Sequence, residues 1–185
     1  MPYDNDGGSV SMRSALDAWE PHAVTLFTDT ARTYNGFVTY KQLGEAVQEQ
    51  SGIRHNGLLT NWIGNLLARV IDHCVTAGTP QLGALCVKED GTVGEGYRHA
   101  VLAAGSTNDE LDLDQLDDHA AKMRLECYRH FGAELPPDGG APTLTPRAKV
   151  TRDRRNTQKK LEEPPKICPT CSLQLPATGR CDDCG

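Results

Sequence analysis

The residues best suited to chemistry stand at the end of the chain, where Cys168-Pro-Thr-Cys171 and Cys181-Asp-Asp-Cys184 form two CxxC pairs separated by nine residues. Each pair can turn as a knuckle with both sulfurs on one side, and two facing knuckles supply the four thiolates of a tetrahedral Zn²⁺ site. The intervening stretch opens as a short alternating strand and then carries Pro176 and Gly179, turn formers that bring the second knuckle back beside the first. Four protein sulfurs leave no open coordination position, so one structural zinc is expected rather than a catalytic one. Disulfides are the competing reading, but a secreted disulfide framework would space its cysteines differently.

The other chemistry-bearing residues form no comparable set. Cys74, Cys86 and Cys127 lie in apolar or helical settings without mutual spacing, as buried reduced thiols do, which agrees with a reducing, cytoplasmic location. The six histidines are scattered, with no HxH or HExxH pairing. No GxSxG or phosphate-loop motif occurs, and the glycines between Gly91 and Gly96 lack dinucleotide-binding spacing. A non-enzyme is expected. Leu175-Pro-Ala-Thr-Gly179 matches a cell-wall sorting signal, but it lies between the knuckles with no hydrophobic tail after it.

Charge is unevenly distributed. The net charge is −6, yet Arg147, Lys149, Arg152, Arg154, Arg155, Lys159, Lys160 and Lys166 form a basic block and Asp109, Glu110, Asp112, Asp114, Asp117 and Asp118 an acidic one. A basic segment holds nucleic acid even in an acidic protein, and a solvated tether is the plainer alternative. The acidic block also suits the start of a helix. No run approaches the roughly 18–20 apolar residues of a membrane span, and the polar start is unlike a signal peptide.

These residues must be positioned by a mainly helical α+β chain of 185 residues. Residues 1–10 are expected to be disordered. From Ser11 an apolar stripe predicts a helix that Pro21 divides in two. Val38-Thr39 reads as a short strand, with Thr39 capping a helix over 40–50 that Gly52 ends. The strongest helix begins at Leu58 or Thr60 and runs to Ala77, ended by Gly78 and Pro80. Residues 82–88 read as a strand, Asp90-Gly91 as a hairpin turn and Val93 as the return strand. A helix from 109–112 to about 131 follows. Residues 132–166 read as a flexible linker and 167–185 as the zinc ribbon, beyond a domain covering 11–131.

The order helix, short strand, helix, turn, helix, hairpin over 11–97, with Val38-Thr-Tyr-Lys-Gln-Leu43 at a helix entry, resembles a winged-helix domain. The resemblance implies that the helix from Leu58 enters the major groove and that the Lys88–Val93 wing touches the backbone. Arg54, His55, Asn56, Thr60, Asn61, Asn65 and Arg69 are then the groove contacts, with Arg152, Arg154, Arg155, Lys159 and Lys160 on phosphates. Glu89 and Asp90 depart from a DNA-binding wing. The tail itself is similar to zinc-ribbon tails of small proteins from actinobacteria and their phages. The reading is a non-enzymatic regulator that binds double-stranded DNA and docks a protein partner through its ribbon. A protein adaptor, or an accessory factor in phage–host conflict that binds no nucleic acid, stands beside it. The oligomeric state and the sequence or partner recognised are left open.

Overall fold

Ser11 keeps an extended backbone while its hydroxyl accepts the Ser14 amide hydrogen over 3.1 Å, which starts helix α1, Met12–Ala31. In this computed structural model, which describes residues 1–103, 105, 111–162, 167–175, 180, 181 and 184 apart from the Lys160 side chain, α1 is one helix of 20 residues. The expected break at Pro21 is corrected. Pro21 sits on the exposed side, while Trp19, Ala23 and Phe27 are fully buried on the other. The ring therefore removes one hydrogen bond at the wet face, and burial on both sides of it holds the helix together.

Helix α2, Tyr40–Ser51, begins at the expected Thr39 in a capping box, with Gln42 N donating to Thr39 Oγ1 and Thr39 N to Gln42 Oε1. It ends at Gly52, whose φ of 70° is one that a side chain would resist. Helix α3, Ile63–Ala77, starts later than the pattern predicts because Leu59–Asn61 form a separate 3-10 turn. The cause is Trp62. It is 1% exposed, with its ring centroid 4.5 Å from that of Trp19, and seating it in the core bends the chain before the helix can start. Leu66, Val70 and Cys74 carry the buried face of α3, which packs against α1 in one apolar core that also holds Leu43 and Val47 of α2.

Residues 1–10 are not disordered, in correction of the sequence reading. Strand β1, Pro2–Tyr3, pairs antiparallel with β3, Arg54–His55, and the Asp4 carboxylate accepts the Asp6 and Gly8 amide hydrogens. A polar segment is thus ordered by backbone pairing, without an apolar period. Strand β2, Val38–Thr39, pairs in parallel with β4, Cys86–Val87. The expected strand over 82–88 is shorter, because Leu82–Leu85 form a fully buried 3-10 turn. No return strand forms at Val93 among the described residues. Lys88–Thr92 closes as a tight turn, and the Val93 amide donates to the buried Asp117 carboxylate over 2.9 Å. An antiparallel wing is therefore replaced by a turn fastened to a helix.

That helix is α5, which follows the short and unanticipated α4, Arg98–Ala103. Helix α5, Leu113–His130, starts at an Asp112–Gln115 capping box where the acidic block predicts it. Asp109 and Glu110 of that block lie outside the described residues. Arg124 on α5 is 4% exposed and donates to the Ala84 and Thr143 carbonyls. It thereby ties the buried turn to the segment after α5.

The flexible linker expected over 132–166 is corrected over 132–162, and its last residues, 163–166, lie outside the described residues. Residues 133–145 are held by hydrogen bonds between Tyr34 and Ala141 and between Arg129 and Gly139, and Pro146–Glu162 form helix α6. Proline is favoured at the first helical position, where its missing N–H would be unpaired anyway. The chain divides into two compact units, 1–151 and 152–185, with the boundary inside α6. Among the described residues no helix is long and apolar enough to cross a membrane.

Candidate metal centre and nucleic-acid interface

The four tail sulfurs meet as the CxxC spacing predicts. Those of Cys168, Cys171, Cys181 and Cys184 all lie within 4.8 Å of one another, and three of the separations are 3.3–3.4 Å. Those separations are far longer than a disulfide bond of about 2.05 Å. They approach the roughly 3.8 Å between sulfurs that a Zn–S length of about 2.3 Å sets in a tetrahedron. The first knuckle is shaped by the chain itself. Cys168 N donates to Leu173 O over 2.8 Å, Ser172 N donates to Cys168 O over 2.9 Å, and Ser172 takes a left-handed φ of 59°. Ile167 and Gln174 form an antiparallel bridge beside it. Pro176, Gly179, Asp182 and Asp183 lie outside the described residues.

The electrostatics of the cluster are compatible with a bound cation. Amide hydrogens of Cys171 and Thr170 draw the Cys168 thiol down to about 6, whereas contact with the sulfurs of Cys181, Cys171 and Cys168 pushes Cys184 up to about 12. Neighbouring thiolates repel, and a dication at their centre removes that penalty. Four soft sulfurs at tetrahedral spacing fit zinc. The remaining thiols behave differently. Cys74, Cys86 and Cys127 are free and buried, and burial raises the pKa of each.

The basic block lies largely on one element. Helix α6 carries seven Lys or Arg side chains against Asp153 and Glu162, a charge of +5 in a chain of −6, so the remaining residues together carry −11. Arg154 and Lys159 are exposed; Arg152 and Arg155 are half-buried. The side chain of Lys160 and all of Lys166 lie outside the described residues. Sequence reasoning missed how α6 starts. Thr145 is 4% exposed, and its hydroxyl accepts the Ala148 amide hydrogen while donating to the Gly91 carbonyl. Arg147 donates to the Glu89 carbonyl over 2.8 Å. A Thr before Pro was the available signal.

The proposed groove contacts separate. Arg54 is exposed on β3, Asn56, Thr60 and Asn61 are exposed between β3 and α3, and Asn65 is exposed on the first turn of α3. His55 is half-buried, its ring 6.1 Å from that of Trp62 and its Nδ1 accepting the Gly57 amide hydrogen. Arg69 turns toward α1, where it meets Asp17 at 2.5 Å and Glu20 at 3.2 Å. The hydrogen bond to Asp17, then that to Glu20, raises its pKa. Arg69 reaches a phosphate only by giving up both carboxylates.

The chain matches no family model, no curated protein and no solved structure. Its function therefore rests on the residues described above.

Proposed function

We propose that the chain is a non-enzymatic nucleic-acid-binding protein whose phosphate affinity comes from α6 and whose tail is a zinc ribbon holding one structural Zn²⁺. The observation that carries this reading is the segregation of charge, with +5 on one 17-residue helix and −11 elsewhere. Cations fixed on a helix release condensed counterions on meeting a duplex, which gives affinity without base readout. Arg152, Arg154, Arg155, Lys159 and Lys160 are the phosphate contacts, and Arg54, Asn56, Thr60, Asn61 and Asn65 add contacts from the entry to α3. On this reading unit 1–151 is a winged-helix variant in which the Lys88–Thr92 turn stands in place of the wing. The ribbon docks a protein partner, and the protein works in the cytoplasm.

The experiment is fluorescence anisotropy of a labelled duplex with the zinc-loaded full chain at 50 and 200 mM salt. A loss of about 10³-fold over that interval is expected if six or more phosphates are neutralised. No binding at 50 mM salt overturns the reading.

One observation favours a protein partner as the second reading. Arg69 is the only Lys or Arg on α3 and is paired with α1, while Asp72 is exposed on the same helix. A helix surface without an open cation suits protein contact better than a phosphate backbone. Stoichiometric capture of one protein by the full chain after nuclease treatment, with no duplex affinity, would support it.

A further inference from the structure

A cavity of about 430 Å³ opens between α3, the start of α2 and the Gly94–Tyr97 loop. Its size lies in the range of small-ligand sites. Ile63, Ile71, Cys86 and Tyr97 give it apolar walls, and each is no more than 7% exposed, so the walls are already formed. Burial pushes the Tyr40 hydroxyl up to about 12, keeping it a neutral group beside the Gly94 backbone.

The rim is polar. Thr60, Asn65, Glu95 and His99 line it, all are exposed, and none of their side chains hydrogen-bonds to protein among the described residues. Among the described residues no Lys or Arg lines the cavity, while Glu95 brings a carboxylate. A phosphate or carboxylate entering here would meet the like charge of Glu95 with no Lys or Arg of the lining to offset it. A flat ring suits the site instead. Its faces would rest on the apolar walls, an amino group would donate to Glu95, and ring acceptors would take hydrogen bonds from the Asn65 amide and Thr60 hydroxyl.

We propose that this cavity binds a neutral, amino-bearing heteroaromatic ring of the nucleobase kind. The proposal goes beyond the charge of α6 and does not depend on it.

Gly64 makes the site testable. It lines the cavity, and an added Cβ there meets nothing within 4 Å. A larger side chain fits the backbone, enters the cavity and favours the helix, because glycine is a poor helix former. The zinc-loaded full chain is titrated with cytidine, adenosine, guanosine and uridine, and amide NMR shifts are followed. Saturable shifts at Gly64, Asn65 and the Gly94–Tyr97 loop are expected for the three amino-bearing nucleosides. Uridine should bind about ten-fold more weakly or less, and Glu95→Gln should weaken the others by about ten-fold, the worth of a charged hydrogen bond. Gly64→Leu should abolish binding with an unchanged or higher melting temperature. No saturation by any nucleoside at millimolar concentration, equal affinity for uridine, or binding retained in Gly64→Leu overturns the proposal. Duplex affinity and its salt slope measured on the same proteins read chiefly the α6 cations, which neither Gly64→Leu nor Glu95→Gln touches, so the two readings fail separately.

Discussion

The Thr145 hydroxyl donates to the Gly91 carbonyl over 2.7 Å while accepting the Ala148 amide hydrogen over 3.2 Å, so one side chain both caps α6 and fastens it to the Lys88–Thr92 turn. Both ends of that link are buried. Thr145→Ala loses a helix cap and leaves a buried carbonyl unpaired, and should cost about 1–3 kcal/mol in chemical denaturation of the full chain. Thr145→Ser keeps the hydroxyl and should cost much less. Gly91→Ala should also destabilise. Its φ is 79°, and the added Cβ would meet the Thr145 hydroxyl and lie 2.8 Å from Ala148 N.

Trp19 and Trp62 pack together yet differ at one atom. Trp19 Nε1 donates to the Ile53 carbonyl over 3.0 Å, whereas Trp62 Nε1 is buried with no partner. Phenylalanine at either position leaves a comparable void, so the difference between the variants reports the hydrogen bond. Trp19→Phe should be less stable than Trp62→Phe by about 1–3 kcal/mol in urea unfolding. Equal losses would mean that the Trp19 bond contributes nothing net.

Thiol reactivity should separate the seven cysteines. After chelation, the four tail thiols should react rapidly with an aromatic disulfide at neutral pH, while Cys74, Cys86 and Cys127 should wait for unfolding. Before chelation, one zinc per chain should slow the tail set, and Co²⁺ in its place should show the absorption of a tetrahedral four-thiolate site. Removing the metal should unfold the tail and leave the melting of unit 1–151 unchanged.

Alkaline pH should weaken unit 1–151. Burial, and then repulsion from the Cys74 sulfur, lifts Cys127 from 9.0 to about 12. A folded pKa above the unfolded one means that the native state holds its proton longer. The resulting stability is fully present below pH 9.0 and is lost as pH rises through about 12. Urea midpoints measured from pH 7 upward should stay level and then fall across that window. Cys127→Ala should reduce the slope.

Cations on α6 and α3 should differ in their effect on duplex binding. Replacing Arg152, Arg154 and Arg155 together by alanine should reduce the magnitude of the salt slope by roughly 2–3, near 0.9 for each phosphate no longer neutralised. Arg69→Ala should leave the slope unchanged and lower stability instead, because Asp17 and Glu20 lose their partner. A slope that falls with Arg69→Ala would return that residue to the interface.

Local signals in the sequence determined the helix start at Thr39, narrowed two others to Ser11 or Ser14 and to 109–112, and determined the stop glycines at 52 and 78 and the gathering of Cys168, Cys171, Cys181 and Cys184. Each of these depends on residues only a few positions apart, or on a short loop that closes on itself. The tertiary structure decided everything that depends on what a residue meets at long range. The buried faces of Trp19 and Phe27 carry α1 through Pro21. Pairing with Arg54–His55 orders a polar N-terminus that has no apolar period. The parallel pairing of β2 with β4, and the Asp117 carboxylate at Val93, replace the antiparallel hairpin that Asp90-Gly91 suggests. Arg69 looks like a groove contact in sequence and becomes an ion-pair partner because Asp17 and Glu20, some fifty residues earlier, are folded beside it. Likewise Thr145 and Gly91 meet across 54 positions, a distance over which composition and periodicity carry no information, and that meeting anchors the start of the basic segment as a helix.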